Sequence, residues 1–106
     1  MKYGMNPADF NVIIEEIVNN LGNTKNAKAF VYGSRVKGTA RPFSDIDILL
    51  KADSYDKKAL SRIDFTELNT PYKVDFVLDE DLFEAYRNEI YSHMEEVELK
   101  TSKPQA

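Results

Sequence analysis

Ala29-Phe30-Val31-Tyr32-Gly33-Ser34 and, ten residues further on, Asp45-Ile46-Asp47-Ile48-Leu49-Leu50 are the two stretches that decide the fold. The first reads as a buried strand running into a tight turn with a hydroxyl. The second reads as another strand, whose period of two points Asp45 and Asp47 to one face and Ile46 and Ile48 to the other. Two acidic groups held side by side on rigid backbone repel each other unless a cation sits between them. A glycine turn entering a helix supplies outward N–H groups for phosphate oxygens. Turn and carboxylates together suit a metal-bound nucleoside triphosphate.

Working outward, Phe10, Ile13, Ile14, Ile17, Val18 and Leu21 recur at helical spacing. Asn6 fits as the N-cap of that helix, Pro7 as its first residue and Gly22 as its left-handed terminator. Ser34 can cap a short helix through Arg35 to Lys37 that Gly38 ends. A weaker helical pattern spans Asp56 to about Leu68 through Leu60 and Ile63. After Pro71, Tyr72 to Leu78 alternates as a third strand. Leu82, Phe83, Tyr86, Ile90, Met94 and Val97 form the apolar stripe of a last helix, which gives way to a short edge strand near Glu96 to Leu99. The order implies a single α/β (α+β) domain over residues 1–100, a small mixed sheet covered by helices, with 101–106 a disordered tail.

At 106 residues the chain suits one modest core and is too short for a separate acceptor-binding domain. The absence of cysteine excludes disulfides and thiolate metal sites, and no apolar run is long enough for a signal peptide or membrane span, so a cytoplasmic protein is expected. A net charge of −4 argues against a protein that lives on nucleic acid, and no direct nucleic-acid partner is expected. The charge is uneven. Lys25, Lys28, Arg35, Lys37 and Arg41 precede the carboxylates with no acid among them, whereas Asp79 to Glu98 holds eight acids against Arg87 alone. That acidic stretch reads as a solvated helix face or as a docking surface for a basic partner.

The candidate chemistry needs a third ligand, and Asp75 between Val74 and Phe76 can supply it, since an unpaired carboxylate within an apolar strand is costly to bury. Lys73 or Arg62 could instead pair with it structurally. If its strand neighbours that of Asp47, three carboxylates converge, and hard oxygen ligands select Mg²⁺ or Mn²⁺, with room for two ions. Gly33 to Ala40 has the two glycines of a P-loop but Thr39-Ala40 where lysine and serine or threonine are required, which removes the ATPase reading. His93, the one histidine, falls on a polar helix side and reads as a surface residue.

Gly33-Ser34, Asp45-Ile46-Asp47 and Asp75, with Arg35, Gly38, Arg41-Pro42 and Ser44, resemble the DNA polymerase β-like nucleotidyltransferase superfamily, and within it the minimal nucleotidyltransferase (MNT) group. The resemblance implies that fold. It implies metal binding and catalysis by Asp45, Asp47 and Asp75, and nucleotide binding by Gly33, Ser34, Arg35 and Ser44, with ATP as substrate and Mg²⁺ as cofactor. MNT proteins pair with small helical HEPN proteins, so the resemblance further implies an antitoxin that transfers AMP to a tyrosine of a HEPN ribonuclease toxin. A non-catalytic antitoxin acting by occlusion and a small-molecule adenylyltransferase subunit are the alternatives. One departure is the lack of a glycine in His93-Met94-Glu95-Glu96-Val97 before the closing strand.

Overall fold

The apolar alternation along Lys28–Tyr32, Ile46–Lys51 and Val74–Leu78 is realised as strands β1, β2 and β3, and a short β4 over Glu95–Val97 completes the sheet. The structure is a computed structural model and describes residues 2–41 and 44–100. Helices α1 (Pro7–Asn19), α2 (Ser34–Lys37), α3 (Lys57–Leu60) and α4 (Glu84–Ser92) alternate with the strands, and 3-10 turns lie over Lys2–Gly4, Phe65–Glu67 and Asp79–Asp81. The sheet order is β3-β2-β1-β4; β1 is antiparallel to β2 and β4, and β2 is parallel to β3. The expected α/β class with a small mixed sheet holds. No helix among the described residues is long and apolar enough to cross a membrane.

One sheet face makes the core. Ala29, Val31, Ile46, Ile48 and Leu50 are fully buried there and pack with Ile13, Ile14 and Ile17 of α1. Each of the valine, isoleucine and leucine side chains contributes about 1.5–3 kcal/mol of transfer free energy, so this face dominates stability. The start of α1 follows its sequence signals: Asn6 Oδ1 accepts from the Ala8 N–H at 2.8 Å, and Pro7 opens the helix. Its end does not. The helix stops at Asn19, Asn20 caps it through its own N–H, and Gly22 (φ +56) stands beyond the cap. A Cβ on Gly22 would come within 2.4 Å of Asp56 Oδ2 and 2.5 Å of Ala59 Cβ, so this glycine allows α3 to approach and does not terminate α1.

The expected helix from Asp56 to Leu68 is broken. Asp56 caps α3 by accepting from the Ala59 N–H at 3.1 Å, but Asp64 then accepts from the Thr66 N–H at 3.0 Å and starts a separate 3-10 turn. The Ser61 hydroxyl also donates back to the Lys58 carbonyl at 2.7 Å. These local side-chain bonds compete with helix propagation.

The last helix is shorter than its apolar stripe suggests, and none of its residues is buried. Phe83 is 74% and Tyr86 61% exposed, while Val97 reaches the core from β4. A polar cluster anchors α4: Arg87 Nη1 donates to Asp79 Oδ1 at 3.2 Å and to the Tyr91 hydroxyl at 2.8 Å, and Tyr91 donates to Asp79. Strand β4 forms without a preceding glycine, because His93 ends α4 at φ −133, open to any residue. The expected disordered tail, 101–106, lies outside the described residues.

Candidate functional site

On the face opposite the core, strand register brings the acidic residues together. Asp47 is level with Asp75 on β3 and with Tyr32 on β1, and residues level across a sheet share a face. Asp45 immediately precedes β2, two residues before Asp47. Asp45 and Asp47 are half-buried, whereas Asp75 is exposed. The expectation that Asp75 needs compensation for burial is therefore corrected: it lies on an edge strand facing outward. Neither Lys73 nor Arg62 forms an ion pair with it among the described residues.

Burial first, then the Asp75 charge and a hydrogen bond to that carboxylate, then Asp45, push Asp47 up to about 6; Arg35 opposes the shift. Tyr32 is pushed up to about 12 by burial and by Asp47 and Asp75. Both shifts come first from burial and then from negative charge gathered on one spot. A hard cation would relieve that repulsion, and carboxylate oxygens are the ligands Mg²⁺ prefers, so the donor set fits a divalent ion. As the side chains stand, no group of three His, Cys, Asp or Glu residues is gathered into a ready-made metal cage among the described residues. Asp47 and Asp75 are the pair brought together directly, with Asp45 coupled through its charge.

Gly33 joins the turn between β1 and α2 to the acidic residues. Its φ of 79 and ψ of −149 are open only to glycine, and a Cβ there would lie 2.5 Å from Asp47 Oδ2. The turn is thus laid directly on the Asp47 carboxylate. The Gly33 carbonyl accepts from the Val36 and Lys37 N–H groups, both at 3.1 Å, and begins α2. Gly33 occupies the cap position and Ser34 the first helical one, so the expected Ser34 cap is corrected: no side chain caps this helix. Gly38 ends α2 in the left-handed conformation, as its sequence position indicates.

Arg35, expected on the nucleotide, is turned inward and only 5% exposed. It donates to the Tyr3 carbonyl at 2.8 Å and the Ser44 carbonyl at 2.5 Å, with Tyr72 stacked 5.0 Å from its guanidinium. It positions the segment before β2. The Ser44 hydroxyl, one residue before Asp45, accepts from the Arg41 N–H at 2.8 Å. Lys37 reaches Glu89 of α4 at 2.8 Å, tying α2 to α4. His93 is exposed and contacts Ser92, in keeping with a surface role.

The sequence alone singles out neither Tyr32 nor Tyr72. Alternation puts Tyr32 opposite Val31, but its place beside Asp47 depends on the β1–β2 register, which the sequence alone leaves open.

The family model described as "Nucleotidyltransferase domain" matches residues 12–104. MntA of Haemophilus influenzae, described as a probable protein adenylyltransferase, is 33% identical over 84 residues, which cover 73% of each chain. A crystal structure of a candidate nucleotidyltransferase from Sulfolobus solfataricus aligns with a TM-score of 0.48 at 18% identity, over 84% of this chain and 76% of that one. The family match spans β1 through β4, with the glycine turn and all three aspartates inside it, and the chain belongs to the nucleotidyltransferase domain family.

Proposed function

We propose that this nucleotidyltransferase is a Mg²⁺-dependent protein adenylyltransferase, and that it neutralises a HEPN ribonuclease toxin by moving AMP from ATP to a tyrosine hydroxyl of that partner. The observation that carries the reading is the Gly33 turn resting on Asp47, with Asp75 level beside it. The similarity to MntA, itself described as a probable protein adenylyltransferase, supports a protein acceptor.

In this reading Asp45, Asp47 and Asp75 would hold the metal, which when bound would supply positive charge against the triphosphate oxygens. The backbone of Gly33 and Ser34 orients the triphosphate. Asp75, exposed at the sheet edge, faces the side from which an acceptor hydroxyl approaches and takes its proton. The acceptor oxygen bonds to the α-phosphorus, the bond to the β-phosphate oxygen breaks, and pyrophosphate leaves.

Intact mass spectrometry of the partner after incubation with Mg²⁺ and ATP tests this: one or more adenylyl additions are expected, lost with EDTA and in Asp45→Asn/Asp47→Asn. No added mass with any nucleoside triphosphate would sink the reading. Inhibition by occlusion is the second reading, favoured by the exposed Phe83–Tyr86 pair; in that case the double variant still silences the toxin.

A further inference from the structure

Phe83 breaks two local rules at once. It occupies the N-cap of α4 (φ −64, ψ 134), where Ser, Thr, Asp or Asn would bond the first-turn N–H groups, and it makes no such bond. It is also 74% exposed, so its ring adds little to the core. Tyr86, 61% exposed and one turn along, meets it edge-on with ring centroids 6.4 Å apart. Among the described residues these are the large hydrophobics left open to solvent. Residues that violate local preference without structural return concentrate at functional sites, and exposed paired aromatics are typical anchors of protein interfaces.

The surroundings select the partner. Asp79, Glu80, Asp81, Glu84 and Glu89 flank the pair, and the cations near them, Arg87, Lys57 and Lys37, are already engaged by these acids. A second copy would bring acid against acid. A basic surface with an apolar cleft meets both the charge and the rings. Position also matters: Lys51, on the carboxylate side of the sheet, lies 5.3 Å from the Tyr91 ring of α4. Helix α4 therefore lies on the same side of the sheet as Asp47 and Asp75.

We propose that Phe83 and Tyr86 form an anchoring site, separate from the catalytic carboxylates, that docks a basic acceptor protein on α4. This rests on the reading above that the acceptor is a protein. The test uses the full chain with its HEPN-type acceptor, comparing wild type with Phe83→Ser, Tyr86→Ser and Glu84→Lys by calorimetric binding and by steady-state transfer. Each variant is expected to bind the acceptor about tenfold more weakly. KM for the acceptor should rise by the same factor, while kcat at saturation and ATP affinity stay unchanged. Phe83→Ser should also melt no lower than wild type, since serine supplies the missing cap. Wild-type affinity in Phe83→Ser and Tyr86→Ser overturns the site while leaving the transferase reading intact. Concentration-dependent dimerisation of wild type that is lost in Phe83→Ser overturns the basic partner in favour of a second copy. A wild-type chain that neither binds nor modifies the acceptor overturns both readings together.

Discussion

At Asp47 a half-buried carboxylate shares its face with Asp75, and its pKa rises from 3.8 to about 6. The folded state then holds the proton more tightly than the unfolded chain does. The contribution of this one group is fully present below pH 4, falls as pH rises from 4 to 6, and stays lost above that. Without a metal ion, Asp47→Asn removes the deficit. In EDTA at pH 7.5 it should stabilise the protein by on the order of 1 kcal/mol, a figure already lowered for solvent screening, and at pH 4 it should change nothing. Thermal melts at the two pH values check this; equal gains at both would remove ionisation of the half-buried Asp47 as the cause. The same substitution should lower transfer at least about a hundredfold. Gly33→Ala acts on the other half of the contact. Its Cβ would press on Asp47 Oδ2 from a backbone conformation that alanine resists, so a loss of about 1–3 kcal/mol in urea titration is expected, together with loss of transfer.

Between elements, Arg35 matters more as a clamp than as a charge. Its two carbonyl partners belong to the N-terminal turn and to the segment leading into β2, so Arg35→Met would leave both carbonyls short of a donor. A cost of about 2–4 kcal/mol is expected, with faster hydrogen exchange at Ser44 and Asp45 than at β1. A uniform increase across the sheet would instead indicate global loosening. The elements differ in how far the sequence discloses them. Helix α1 carries its cap, its proline and a continuous apolar face, and these agree. In the α3 region Asp64 and Ser61 redirect the backbone through bonds that an apolar pattern does not register. In α4 the apolar spacing is present, but Arg87, Asp79 and Tyr91 do the anchoring and leave Phe83 and Tyr86 outside.

Across the whole molecule, strand alternation makes the outward face of Asp47 legible, whereas Asp45 lies just before β2, where a period of two does not fix its side. Placing Asp75 and Tyr32 beside them depends on register, which is settled by how the core face packs on α1 and is not written in either strand. If the carboxylates hold Mg²⁺, binding couples to folding: saturating Mg²⁺ at pH 7.5 should raise the wild-type Tm, by about 2.7 kcal/mol of added stability at one hundred times Kd, and should leave Asp47→Asn unchanged. A Tm insensitive to Mg²⁺ with and without ATP would count against a metal at this site. The pairing of β1 with β4 has a consequence in time as well as in space. Strand β1 can join β2 early, but its other edge waits for Glu95–Val97, about 65 residues further along the chain. At synthesis rates of roughly 5–20 residues per second, that edge stays bare for several seconds on every ribosome. An open strand edge invites pairing with another chain, so the nascent protein carries that liability until the last strand closes the sheet.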